Sequence, residues 1–284
     1  MIIHYAVASV QGLVHYVHTD QFLICLGSKP LTKGGVARRT GQIRQSGALL
    51  AVCNGLLDGE YGQECAEVSL SEMETLLEGV EDYQNYSLSD GMRMLDEGMR
   101  RVHELLIQFS ETREDGVQMM STLAAIWFCK EYAVFSQVGN ARIYRLSEQS
   151  LQLLTEDNTE AWALVKEGKI SPDKLSKYPG HRVITQKLGG KGKHKPAIEV
   201  KSEKIEDNDV FLLCTAGLTD GISDAKIEEM LIGAMDSQGV MDMGIGNCIL
   251  DFSAKAEGKH NSTLMLCQVF PDQSIWTDII RNLG

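Results

Sequence analysis

The sequence is short of basic residues, of cysteine pairs and of long apolar runs, and each shortage narrows what the protein can be. Its 284 residues carry 27 lysines and arginines against 39 aspartates and glutamates, a formal net charge of -12. That balance argues against nucleic acid or an anionic membrane surface as the main partner, since both reward clustered cations. No segment approaches the ~20 apolar residues needed to cross a bilayer. Residues 1–10 show no basic region and no long apolar run, so no signal peptide is expected. The 7 cysteines, at 25, 53, 65, 129, 214, 248 and 267, include no C-x-x-C pair, which excludes a zinc ribbon or a dithiol redox motif. Most lie inside apolar stretches such as 126–129 and 264–267, the setting of buried free thiols in a reducing compartment. No G-x-x-x-x-G-K-[ST] occurs, so a nucleotide cradle of that kind is absent. No Pro- or Ser-rich linker and no internal repeat divides the chain, which reads as a single cytoplasmic domain over 1–284.

What is present centres on residues 211–221, FLLCTAGLTDG, where an apolar run meets a small-residue turn. This reads as a buried strand that stops abruptly, a junction that holds a loop residue still for function. Residues 20–26 and 48–53 read as further strands, the second buried on both faces and ending at Asn54-Gly55. One or two strands are expected within 1–17, and the polar, glycine-rich, basic stretch 27–46 reads as a loop. Apolar stripes at helical spacing mark 62–79 and 88–109. Strands follow at 122–129, 132–138, 141–146 and 151–154, then short helices at 159–168 and 172–177. Strands at 197–201 and 210–214, helices at 224–235 and 241–256, a strand at 263–269 and a short tail helix complete the chain. This order fits an α+β fold of antiparallel sheets with helices laid outside, not a doubly wound parallel sheet.

Five motifs, in order along the chain, carry a resemblance. Residues 52–55, VCNG, resemble V-x-D-G-x-G-G, and 139–144, GNARIY, resemble G-D-S-R-x-Y. Residues 155–189 resemble L-T-x-D-H-S … G-x-I-[ST]-x-x-E-A … L-T-x-x-L-G. Residues 211–221 resemble C-S-D-G-L-x-D, and 260–263, HNST, resemble D-N-x-T. These are motifs of bacterial serine/threonine phosphatases of the metal-dependent protein phosphatase 2C (PPM) family. The resemblance implies a four-layer α-β-β-α sandwich, two packed antiparallel sheets flanked by helices. In active members it also implies two Mg²⁺ or Mn²⁺ ions, held mainly by aspartates, and a water between them that attacks phosphoserine or phosphothreonine phosphorus.

Carried over position by position, the resemblance retains Asp20 as a metal ligand and Gly55 as a backbone-carbonyl ligand. Asn54 stands where an aspartate bridges both ions, Ala216 and His260 stand for two further aspartates, and Asn140 stands for the aspartate of an extra metal site. His15 stands where an arginine holds the substrate phosphate. One clear carboxylate thus faces two hard ions that need several. Each carboxylate lost about 4 Å from a partner charge forfeits on the order of 4 kcal/mol at an effective dielectric near 20.

The resemblance then implies a pseudophosphatase with no confident catalytic residue and no cofactor. Its role would be binding or regulation in serine/threonine phosphorylation signalling, with a phosphoprotein, a kinase or another signalling protein as partner. The opposing expectation is an active phosphatase using Mg²⁺ or Mn²⁺ at a rebuilt site, with Asp58 or Glu60 supplying a displaced carboxylate. His15, Asp20 and His260, with His18 as a fourth, make a candidate Zn²⁺ site, since zinc accepts nitrogen ligands. Otherwise Asp58 and Glu60 read as solvated and Asp224 as a helix cap, while Asp220 flanks the junction loop. The lysine-rich stretch 187–195 reads as a surface loop, and His103 and His181 as surface or packing residues.

Overall fold

A computed structural model describes residues 1–270 except 28, 58, 79–82, 172–173, 176–177 and 192–194. Asp58, the expected tail helix and part of the expected helix at 172–177 lie outside the described residues. In chain order the elements begin β1 (Ile2–Val10), β2 (Asp20–Leu26), β3 (Lys29–Gly34), β4 (Ala37–Ile43), β5 (Ala48–Gly55), α1 (Glu60–Thr75) and α2 (Leu88–Thr112). They continue β6 (Met120–Cys129), β7 (Tyr132–Val138), β8 (Arg142–Ser147), β9 (Ser150–Leu153), α3 (Glu160–Lys166) and β10 (Leu188–Gly189). The last are β11 (Val200–Lys204), β12 (Val210–Cys214), α4 (Ala216–Gly221), α5 (Asp224–Gly233), α6 (Ile245–Ala256) and β13 (Ser262–Phe270). One sheet orders β4-β1-β13-β12-β8-β9 and the other β11-β7-β6-β5-β2-β3, with β10 set against β6. Every pairing is antiparallel among the described residues.

Strand alternation sorts side chains into layers. In β2, Phe22 and Ile24 join the core between the sheets with Val7, Val52, Ile126, Phe211 and Met265. Leu23 and Cys25, on the opposite face, join Leu70 of α1, Met99 and Val102 of α2, and Trp127. The outer face of the other sheet packs Ala8, Leu212 and Leu264 with Leu218 of α4, Ile227 of α5 and Ile249 of α6. Helices therefore cover both outer faces of two stacked antiparallel sheets, the expected four-layer sandwich. The start of α2 is fixed locally. Asp90 N–H donates to the Ser87 hydroxyl at 3.2 Å while Ser87 N–H donates to the Asp90 carboxylate at 3.0 Å, a capping box.

Several expectations need correction. The stretch 27–46 is not a loop but contains β3 and β4, edge strands of different sheets. Only Thr32 of β3, and Ala37 and Ile43 of β4, are buried. A half-covered edge needs few apolar residues, so its sequence looks like a loop. Within 1–17 there is one strand, β1, followed by an anchored loop. The turn after β12 is the short helix α4, and the expected helix at 241–256 starts at Ile245. Asp224 does not cap α5. Ser223 does, accepting from Lys226 N–H, while Asp224 accepts from Tyr144 Oη at 2.9 Å. Of the cysteines, all are free and only Cys248 is exposed.

Candidate functional site

The strand ends build the site. β2 begins at Asp20 directly opposite Asn54 near the end of β5, because the antiparallel register pairs these two residues. β12 ends beside β13, placing Thr215 and Ala216 next to the segment 260–263, and Thr215 N–H donates to Thr263 O at 3.0 Å. A glycine is required where β5 turns under α1, since a Cβ on Gly55 would lie 1.8 Å from the Gly62 carbonyl oxygen. Across from these ends, Gly139 adopts a φ of 102 and Asn158 Oδ1 accepts its N–H at 2.9 Å, which sets the turn that presents Asn140.

A cleft of about 180 Å³ opens at this end, lined by His15, Asp20, Asn54, Gly55, Asn140, Ala216 and His260. Every position carried over from the resemblance therefore meets in one place. Thr19, Arg182, Thr215 and Asn261 also line it. These four escaped the sequence reading, although Thr215 and Asn261 lie within quoted motifs and Arg182 is next to His181.

The one carboxylate in the cleft is already engaged. Asp20 is fully buried. Its Oδ1 accepts from Asn54 Nδ2 at 2.6 Å and its Oδ2 accepts from Thr215 Oγ1 at 2.6 Å. Asn54 Nδ2 also donates to Thr19 Oγ1 at 3.1 Å, and that oxygen accepts from Asn261 Nδ2 at 3.0 Å. Two acceptors on one side fix which way the Asn54 amide points. Neutral donors thus satisfy the buried charge where a metal pair would otherwise be needed.

The histidines pair with each other. His15 Nε2 lies 3.1 Å from His260 Nδ1, so one imidazole donates to the other. Burial, then Arg182 and His15, lower the His260 pKa to about 4, which keeps this ring neutral at pH 7. His18 is not available as a ligand. Its Nδ1 accepts the Asp20 N–H at 3.2 Å and its Nε2 bonds Ser9 Oγ at 3.1 Å, both buried. Among the described residues, no group of three or more His, Cys, Asp or Glu side chains is placed to hold a metal ion. The Zn²⁺ expectation finds His15, Asp20 and His260 in one cleft without a three-ligand cluster. Glu60 heads α1 on the exposed surface and does not line the cleft.

Arg182 adds positive charge. It pairs with Asp220, whose other oxygen lies 3.7 Å from His181 Nε2. Burial lowers the Arg182 pKa, opposed by Glu257 and Asp20, yet a guanidinium stays charged at neutral pH. In the adjoining cavity, which shares Asn140, Arg182 and Ala216 with the cleft, Arg142 makes a bidentate pair with Asp157 at 2.8 and 2.7 Å. Its Nη1 also donates to Tyr144 Oη at 3.0 Å, so the motif that resembles G-D-S-R-x-Y is anchored by a buried ion pair.

This donor set does not fit two Mg²⁺ or Mn²⁺ ions. It offers one carboxylate with both oxygens hydrogen-bonded, three amides, two hydroxyls, a methyl group and two imidazoles, beside a cation. It can instead receive an anion. Arg182 keeps further N–H donors, and the imidazole pair and Asn140 supply polar contacts.

The chain matches no protein-family model. It is 30% identical over 139 residues to the serine/threonine phosphatase Stp of Listeria monocytogenes, covering 48% of this chain and 54% of that protein. The chain thus spans about half the length of this relative. Among solved structures, the serine/threonine phosphatase PstP/Ppp of Mycobacterium tuberculosis matches with a TM-score of 0.75 at 22% identity, over 95% of this chain and 100% of that one. The PstP catalytic domain has also been solved in complex with 2 manganese ions. Stp1 of Staphylococcus aureus matches with a TM-score of 0.78 at 17% identity, over 93% of this chain and 94% of that one. The chain therefore has the protein phosphatase 2C (PPM) fold and is similar in sequence to bacterial serine/threonine phosphatases.

Proposed function

We propose that this chain is a pseudophosphatase, a phosphoprotein-binding module on the protein phosphatase 2C fold without the two-metal hydrolysis of the fold's active members. One observation carries the reading. Asp20 spends both carboxylate oxygens on Asn54 and Thr215, while the cleft's remaining charge is the cation Arg182. A cleft of that character favours a phosphate monoester over a pair of divalent cations. The phosphate would contact Arg182, with His15, His260 and Asn140 as polar neighbours. The partner class is a phosphoprotein, a kinase or another signalling protein, met in the cytoplasm. No helix among the described residues is long and apolar enough to cross a membrane.

The test is equilibrium binding of a fluorescein-labelled phosphothreonine peptide in EDTA, beside its unphosphorylated twin. The phosphopeptide is expected to bind at least about tenfold tighter, and Arg182→Gln to remove that preference, since a hydrogen bond to a charged group is worth ~1.5–3 kcal/mol. Equal affinity for both peptides would overturn the proposal.

A further inference from the structure

The loop that carries His15 into the cleft places its other large side chains outside. Leu13 is 89% exposed, Val14 55% and Tyr16 100%. Three of the nine large apolar side chains exposed among the described residues therefore fall within four consecutive positions at the cleft mouth. The loop is not a loose one. Leu13 N–H donates to Gly258 O at 3.0 Å and Val14 N–H to Lys259 O at 3.1 Å. Gly12 N–H donates to Asn261 Oδ1 at 3.0 Å, and Gln11 Nε2 donates to His15 O at 2.6 Å. A Cβ on Gly12 would come within 2.3 Å of the His260 carbonyl carbon, so glycine permits this close seat on the segment before β13. A backbone held at this many points keeps an apolar patch in water at a cost that a free monomer has no reason to bear.

We infer that residues 13–16 form a docking platform for the chain flanking the phosphorylated residue, selecting a large apolar side chain there. The inference rests on the phosphoprotein-binding reading of the cleft. Charge complementarity names the occupant. His15, within the patch, lines the same cleft as the cation Arg182, so a phosphate carried on a peptide finds a local counter-charge at this mouth, while the chain's net charge of -12 gives an extended anionic membrane surface none. Reach sets the position. Val14 and Tyr16 flank His15, and an extended ligand advances ~3.3–3.6 Å per residue, so the apolar side chain sits one to three residues from the phosphorylated one. Its burial against Leu13 and Tyr16 expels water from both sides.

The experiment uses two phosphothreonine peptides, one with leucine and one with serine at the three positions on each side, and both unphosphorylated twins. Each is titrated by fluorescence anisotropy into the wild type, the Leu13→Ser/Tyr16→Ser double variant and Arg182→Gln. The wild type is expected to bind the leucine phosphopeptide about tenfold tighter than the serine one. The double variant, altered only at exposed positions, should bind both phosphopeptides at the weaker level. Equal wild-type affinity for the two phosphopeptides would overturn the platform and leave the phosphate-binding reading standing. Loss of all phosphate dependence would overturn both. Self-association of the wild type in light scattering, abolished in the double variant, would make the patch a contact between copies of this chain and overturn the platform as well.

Discussion

The amide of Asn54 donates to the carboxylate of Asp20 at 2.6 Å, across paired positions of neighbouring strands. Asn54, which the resemblance sets at a bridging-ligand position, is here a hydrogen-bond donor to the one carboxylate of the cleft.

Asn54→Asp alone should therefore destabilise the protein. It replaces a donor with a second carboxylate against a buried one, and like charges that close cannot both ionise freely. Urea denaturation at pH 7.5 should show a loss of about 2–4 kcal/mol, of the order expected for two charges near 4 Å at an effective dielectric near 20. One of the pair takes up a proton in the folded state, so its folded pKa is raised. The deficit should shrink as pH falls toward 4.5 and grow as it rises. A variant as stable as the wild type at pH 7.5 would show that Asp20 is less confined than its contacts indicate.

Adding Ala216→Asp and His260→Asp to that change should create Mn²⁺ binding, seen by calorimetry and as a melting temperature that rises with Mn²⁺. The wild type, by contrast, should melt at the same temperature in EDTA and in Mn²⁺. A fall of several degrees when the wild type meets EDTA would mean that a bound metal contributes to its fold.

Asp157→Ala should be among the most damaging single substitutions away from the apolar core. It leaves the Arg142 guanidinium without its bidentate partner in a buried site, a loss of ~3–5 kcal/mol. Denaturant titration measures it. A loss below about 1 kcal/mol would mean that Tyr144 and Asp224, which stand 3.0 and 3.5 Å from Arg142 Nη1, suffice to hold it.

Acid should weaken the fold before carboxylates titrate. The His260 pKa lies at about 4, and burial also lowers those of His18 and His4. In the unfolded chain these rings take up protons near pH 6.5. Between that pH and about 4 the unfolded state binds more protons, so stability rises with pH across the window and is lost on acidification. Around His260 the charged and titratable neighbours are Arg182, His15, Lys259 and Glu257, of which only Glu257 favours the protonated ring. His260→Gln should flatten part of the slope of unfolding free energy between pH 6.5 and 4.5. An unchanged slope would show that His260 is not part of the linkage.

Much of this was legible in the sequence because burial on two faces leaves a plain mark. β12 and the runs 48–53 of β5 and 123–129 of β6 are apolar throughout, and Asn54 and Ala216 stand where β5 and β12 end. The edges were not legible, since β3 and β4 have one covered face and a polar composition. The hydrogen bonds of Asp20 were hidden for a different reason. Thr215 reaches it from 195 positions away, a contact that depends on how β12 and β13 stack over the other sheet. Arg182 enters the cleft from the irregular segment between α3 and β10, where periodicity says nothing about direction.

The central claim is that the cleft holds phosphate without hydrolysing it, and turnover tests this most directly. A phosphothreonine peptide is incubated with the purified protein in excess Mn²⁺ and released phosphate is followed with time. The expected result is a rate indistinguishable from buffer alone. Turnover near the ~1–10³ s⁻¹ usual for enzymes, lost with Asp20→Asn, would contradict it and establish an active phosphatase with a rebuilt metal site.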